Sequence, residues 1–198
     1  MVRELGPGDL EPLLALRRRA LLADPFAFSA SPEDDVGLDP DFVRHQLGSP
    51  GRGGRSITLG AFAPQLVGMV GLAPERQLKA RHKVGLFGLF VAPEQRRRGL
   101  AATLLGAAIE RARRLDAVEQ IQLAVSTRSE AAIRLYERHG FSRYGREPRA
   151  LRVGDEYSDT LLMSLALRSE LSAARARAAT RRTARTRRGS PRRSRSGR

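Results

Sequence analysis

The sequence predicts an α/β fold: one mixed central sheet, an antiparallel meander followed by a β-α-β unit, with helices on both faces. Three observations predict it. Strand-length apolar runs recur over residues 56–91 with turn residues between them, an amphipathic helix follows, and strand and helix signals then alternate before two closing strands. The resulting order is β-α-α-β-β-β-α-β-α-β-β. A doubly wound parallel sheet would need a helix between each pair of strands, and the meander has none. The sequence contains no internal repeat.

The elements follow in order. Residues 2–5 read as a short strand, and Gly6-Pro7-Gly8-Asp9 turns into a helix carrying Leu10, Leu13, Leu14, Leu16, Ala20 and Leu21 on one stripe. Asp24-Pro25 stops that helix. Residues 26–38 are polar and irregular. A second helix spans residues 40–47, with Asp39 as its N-cap and Pro40 at its first position. Residues 48–54, Gly-Ser-Pro-Gly-Arg-Gly-Gly, read as a flexible connector. Residues 56–62 and 66–72 form a hairpin around Ala63-Pro64-Gln65. Residues 84–91 are apolar on both faces, with Val84, Leu86 and Phe90 set against Phe87, Leu89 and Val91. That pattern places the strand in the middle of a covered sheet.

Ala101, Leu104, Leu105, Ala108, Ile109, Ala112 and Leu115 give the strongest helical stripe, with Thr103, Glu110, Arg111, Arg113 and Arg114 opposite. Residues 121–125 are a strand. Thr127-Arg128-Ser129-Glu130 reads as a capping box opening the last helix, and Gly140 stops it. Residues 141–153 and 157–167 are the closing strands, joined through Gly154-Asp155.

Composition excludes several classes. Of 198 residues 41% are apolar, enough for a core, and none is Cys, which removes disulfides, thiolate metal sites and a cysteine nucleophile. His45, His82 and His139 show no metal-ligand spacing, so no metal is expected. No apolar segment has signal-peptide or membrane-span character, which makes an intracellular, cytoplasmic protein the expectation. The formal net charge of +15 is unevenly spread. Residues 168–198 hold 12 Arg and one acid, Glu170, for +11, whereas residues 1–167 carry only +4. The domain is therefore expected to be residues 1–167, followed by an Arg-rich disordered tail, residues 168–198, with no large apolar residue after Leu171. Arginine runs displace phosphate counterions, which suits non-specific contact with nucleic acid. A solvated extension with no selected role describes the same residues.

The chemistry concentrates where the strand at 84–91 runs through Pro93 and an Arg/Gly loop into the strongest helix. First-turn amides of a helix lack intrahelical acceptors and sit at the positive end of its dipole. Gly99 and Ala101 leave room for a ligand to approach that backbone, and Arg96, Arg97 and Arg98 add positive charge. The loop alone points to an anion, with phosphate the natural one. An ordinary strand-to-helix turn with solvated arginines is the alternative.

The motif Arg96-Arg97-Arg98-Gly99-Leu100-Ala101, after Val91-Ala92-Pro93, resembles the (Arg/Gln)-x-x-Gly-x-(Gly/Ala) signature of the GNAT family of N-acetyltransferases. A second stretch, from Ser129-Glu130-Ala131-Ala132 through Leu135-Tyr136 to Gly140-Phe141, resembles the family pattern Asn-x-x-Ala-x-x-Leu-Tyr-x-x-x-Gly-Phe. The resemblance covers about residues 1–167 and is strongest over 84–141. It implies a GNAT-type sheet and a transferase that uses acetyl-CoA as cosubstrate in a cleft between two parting parallel strands. It implies that the main chain of Leu89, Phe90 and Val91 meets the pantetheine arm. The backbone of Arg97, Arg98, Gly99, Leu100, Ala101 and Ala102 would wrap the pyrophosphate, with Arg96 beside them. Tyr136 would be the general acid for the departing thiolate; on its own spacing, without the resemblance, it reads first as a core tyrosine beside Ala132, Leu135 and His139.

Two departures matter. Ser129 stands where the family has an Asn on the cofactor and reaches less far. Ala124 stands where N-terminal acetylating branches commonly carry a Glu, which weighs against the ribosomal-protein type. Glu75, Asp155, Glu156 and Asp159 are candidates for the base, as is proton loss through water. An amine of pKa about 10.4 is only about 0.1% neutral near pH 7.4, so this step needs a route. Phe26, Phe28, Glu33 and Asp34, with Asp35, form an apolar and acidic set that could receive a cationic acceptor amine; a solvated loop is the commoner explanation for such residues. The expected function is direct transfer of acetyl from acetyl-CoA to an amine of a small molecule or peptide, by a monomer or homodimer with no membrane partner. The alternative is a nucleic-acid-associated protein that senses acyl-CoA with little or no turnover.

Overall fold

The structure is a computed structural model and describes residues 1–48 and 56–167. The rest of the predicted connector and the whole predicted tail lie outside the described residues. The elements are β1 (Val2–Glu4), α1 (Leu10–Ala23), α2 (Pro40–Leu47), β2 (Ile57–Phe62), β3 (Leu66–Pro74), β4 (Lys83–Val91), α3 (Leu100–Arg113), β5 (Gln120–Ser126), α4 (Glu130–Arg138), β6 (Ser142–Val153) and β7 (Glu156–Ala166). Their order and type are those the sequence predicts.

Seven strands form one sheet in the order β1-β2-β3-β4-β5-β7-β6. Pairing is antiparallel from β1 through β4, parallel between β4 and β5, and antiparallel again from β5 to β7 and β7 to β6. The single parallel junction arises because α3 carries the chain across from β4 to β5, as a crossover must.

Two cores cover the two faces. On one face α3 and α4 bury Leu104, Leu105, Ala108, Ile133 and Tyr136 against Ile57, Val70, Leu86, Ile121 and Met163. On the other face α1 and α2 bury Leu13, Leu16, Ala20, Val43 and Leu47 against Val67, Met69 and Phe90. Each fully buried Leu or Ile contributes about 1.5–3 kcal/mol by removal from water, so the α3 stripe alone is a major source of stability. Asp39 caps α2 as expected, accepting from the amides of Asp41 and Phe42.

Two expectations are corrected. Ser129, not Thr127, is the N-cap residue of α4, and no side-chain cap bond forms there. Thr127 instead donates its hydroxyl and its amide to the carbonyl of Asp159 on β7, because β5 still follows its neighbour at that point. The second correction concerns β4. Gly71 and Met69 pair with Phe87 and Phe90, so Gly88 and Leu89 stand opposite Val70 alone. This is a β-bulge, and Gly88 takes φ +64, a conformation glycine adopts without strain. The bulge breaks the alternation: Phe90 goes to the α1/α2 core and Val91 joins Leu86 in the other. Phe87 is covered by neither and remains 45% exposed.

Candidate active site

The bulge opens the site. β4 and β5 pair at Lys83–Gln120, Val84–Ile121 and Gly85–Gln122, and the pairing then ends. β4 stays bonded to β3 as far as Val91, and β5 stays bonded to β7 as far as Ser126. Each strand keeps its outer neighbour while the facing edges part. The result is a cleft of about 760 Å³ bounded by β4, the loop into α3, the start of α4 and the segment after α1.

Among the predicted cofactor residues, Leu89, Phe90, Val91, Arg96, Arg97, Gly99, Leu100, Ala101, Ala102 and Ser129 line this cleft. Arg98 does not; its guanidinium turns back to Gln95 Oε1 at 3.1 Å. Gly99 is the N-cap of α3 at φ +80, and Arg97 also lies at positive φ, +60. These two left-handed residues wrap the loop around the helix start. Thr103 is the first amide of the helix to find a carbonyl, that of Gly99. The amides of Arg97 through Ala102 donate to no described group, and all of these residues but Arg98 line the cleft at the positive end of the helix. The Arg96 side chain is committed within the protein. Its Nε donates to the Val91 carbonyl at 3.0 Å, and its guanidinium lies 5.6 Å from the Phe90 ring centroid, which ties the loop to the end of β4.

Tyr136 is not a cleft-lining residue. It is 7% exposed, packed edge-on to Phe141 with ring centroids 5.7 Å apart. Ala132 and Leu135, its neighbours on α4, do line the cleft, so Tyr136 sits where the cleft-facing side of α4 meets the core-facing side. Among the described residues nothing hydrogen-bonds its hydroxyl, yet no buried side-chain polar atom lacks a partner, so the hydroxyl keeps contact with solvent. Burial pushes the phenol above its ordinary pKa, so it stays protonated throughout the neutral range.

Of the predicted acceptor residues, only Phe28 lines the cleft. Phe26 lies under Arg128, whose guanidinium carbon is 4.0 Å from the ring centroid. Glu33 and Asp34 are exposed and away from the cleft lining; the Asp34 carboxylate accepts the Ser31 amide and closes a local turn. Asp35 is paired with Arg17 at 2.6 Å in a largely buried ion pair, and Arg17 also stacks on Phe28 at 4.7 Å. Asp35→Ala leaves that guanidinium without its counter-charge and is expected to cost about 1–3 kcal/mol. Thermal unfolding of the variant checks this, with a fall of roughly 2–4 °C per kcal/mol at this size.

None of the four base candidates lines the cleft. Asp155 pairs with Arg152, Glu156 with Arg128, and Asp159 with Arg146 at 2.5 Å, while Glu75 is exposed. The Arg149 amide and the Arg146 guanidinium hold the Asp159 carboxyl below its usual range, which makes it a weaker base. Two carboxylates that the sequence does not single out do line the cleft, Asp24 and Glu130, and Glu130 is paired with Arg134. Arg128, Ala131, Ala132, Leu135 and Arg138 join them as lining residues beyond those expected. Four of these lie inside the second motif, at the spacing that puts them on one side of a helix, and Arg128 stands just before it. Asp24 carries a signal only as a helix stop.

The described residues hold no helix long and apolar enough to cross a membrane and no cluster of three metal-binding side chains. No curated protein matches the sequence significantly. Among solved structures, an acetyltransferase of the GNAT family from Streptococcus pneumoniae is 29% identical, with a TM-score of 0.71 over 84% of this chain and 98% of that one. The yncA protein of Salmonella typhimurium, solved with acetyl-CoA, is 19% identical with a TM-score of 0.71 over 85% and 94%. A ribosomal-protein-alanine N-acetyltransferase from Brucella melitensis is 24% identical, TM-score 0.71, over 84% and 99%. These last two are similar in fold. Residues 22–141 match the model of the acetyltransferase (GNAT) family. That match spans more than half of the sequence and contains both motifs and the whole cleft-forming loop, and the chain therefore belongs to the GNAT acetyltransferase family.

Proposed function

We propose that the chain transfers acetyl from acetyl-CoA directly to an amine of a small molecule or peptide, with no covalent enzyme intermediate. One observation carries the reading. The cleft made by the parting of β4 and β5 ends on the unpaired amides of Arg97 through Ala102, where a side chain on Gly99 would meet no atom within 4 Å. Phosphate oxygens suit those donors, and a slender arm suits the strand edges leading to them.

In this reading the amides of Arg97 through Ala102 hold the pyrophosphate, and the main chain of Leu89 and Phe90 pairs with the pantetheine arm. The Val91 carbonyl is already taken by Arg96, whose part is to hold the loop in place. Ser129 supports the cofactor at the start of α4. When bound, acetyl-CoA supplies a thioester-activated acetyl group. Tyr136 keeps a proton on its hydroxyl beside the cleft for the departing sulfur. The catalytic domain ends with the Leu167 amide, which donates to the Glu119 carbonyl.

A thiol-release screen of acetyl-CoA with small amines, amino acids, polyamines and peptides tests the function. Turnover with at least one amine class is expected. Acetyl-CoA binding in calorimetry without turnover on any of them overturns the transferase and favours an acyl-CoA sensor.

A further inference from the structure

Four arginines line the cleft, and two of them are engaged within the protein. Arg96 donates to the Val91 carbonyl and lies over the Phe90 ring. Arg128 donates to Glu156 and to the Tyr157 carbonyl, and it stacks on Phe26. The side chains of Arg97 and Arg138 make no ion pair or hydrogen bond among the described residues, and both residues are exposed. No cleft-lining carboxylate neutralises them. Glu130 pairs with Arg134, and Asp24 is in no ion pair among the described residues.

The two free cations stand on two walls of one cleft. Arg97 belongs to the loop into α3 and takes φ +60, a region in which a side chain is strained and a glycine is not. No bond of its guanidinium to a described group offsets that strain. On α4 the lining residues past Glu130 are Ala131, Ala132, Leu135 and Arg138. The first three are apolar, and a long helical side chain leans back toward the helix N-terminus, over that same face. An apolar wall thus carries one cation at its end.

Acetyl-CoA brings more negative charge than its pyrophosphate. The monoester phosphate on its ribose 3′ oxygen adds about −1.5 to −2 near neutral pH. The amides of Arg97 through Ala102 are neutral donors, and in the reading above they serve the pyrophosphate. Two full positive charges remain, and a guanidinium meets phosphate oxygens two at a time. We infer that the side chains of Arg97 and Arg138 form a second anion site in the cleft, for the ribose 3′-phosphate of the cofactor. The protein then selects CoA over its 3′-dephospho form. This rests on the acetyl-CoA reading of the cleft and adds the part of the cofactor that side chains, rather than backbone, recognise.

The test is calorimetry of CoA and 3′-dephospho-CoA with the full chain, repeated with Arg97→Gln, Arg138→Gln, the double variant and Arg44→Gln. Arg44, on α2, pairs with Asp41 outside the cleft, and its substitution removes the same charge. CoA is expected to bind at least about fivefold more tightly than 3′-dephospho-CoA. Each cleft variant should lower that ratio at least about twofold, and the double variant should bring it near one. Arg138→Gln should bind 3′-dephospho-CoA like wild type, and Arg44→Gln should keep the wild-type ratio. A wild-type ratio near one, or a ratio that survives in the double variant, overturns the inference and leaves the amide row as the cofactor's anion site. A ratio lowered equally by Arg44→Gln overturns it too, because the attraction is then that of the whole basic chain. Binding of neither nucleotide overturns the acetyl-CoA reading itself, and this inference with it.

Discussion

Gly99→Val and Ala101→Phe are each expected to weaken acetyl-CoA binding at least tenfold, about 1.4 kcal/mol or more, in calorimetry. The two act by different routes. At Gly99 the backbone has φ +80, which costs an L-residue about 1–2 kcal/mol, so a β-branched side chain pulls the loop out of shape. No atom lies within 4 Å of the new Cβ, so the fold itself is not crowded. Ala101 has ordinary helical geometry in the first turn of α3 and lines the cleft, so a phenyl ring there fills space without straining the backbone. Loss of affinity in both means that the row of amides is the anion site. Wild-type affinity in both removes the pyrophosphate from this loop.

Tyr136→Phe is expected to slow the chemical step about 10²-fold while leaving acetyl-CoA affinity close to wild type. The ring stays packed on Phe141, and only the hydroxyl is lost. A kcat at the wild-type level, with chemistry shown to be limiting, returns Tyr136 to the core. The same variant has a pH signature. Burial raises the phenol pKa above its ordinary value of about 10. The folded state therefore holds the proton where the unfolded chain releases it, and stability falls as pH rises through and above the unfolded value. Wild type should lose stability there, below and around neutral pH the two proteins should titrate alike, and Tyr136→Phe should lack this alkaline loss. Urea unfolding across alkaline pH checks it.

Local signals account for most of the elements. Asp39-Pro40 announces α2, and the stripe from Ala101 to Ala112 announces α3, because capping and helical burial depend on neighbours a turn or two apart. The cofactor side of the cleft was legible for the same reason. One continuous strand, loop and helix supplies Leu89 through Ala102, so its geometry is a property of consecutive residues. The acceptor side was not. Phe26, Phe28, Glu33 and Asp34 looked like one set, but Glu33 and Asp34 sit away from the cleft, while Arg128, about a hundred residues on, stacks on Phe26.

Order and type of the elements, the Asp39 cap of α2 and the amide-rich loop follow from the chain's own periodicities and turn residues. Which strand edges part, and which carboxylates remain unpaired, follow only from the fold. The bulge at Gly88 shows this. Its effect depends on Val70 standing opposite and on β5 holding to β7 rather than following β4. Alternation read along residues 84–91 put Phe90 with Leu86 and covered Phe87. In the sheet Phe90 crosses to the other core and Phe87 is left open. Ion pairing is decided in the same way: Arg17 reaches Asp35 and Arg128 reaches Glu156 across sequence separations of 18 and 28 residues. Such pairings are properties of distance in space, and residue spacing along the chain does not encode them.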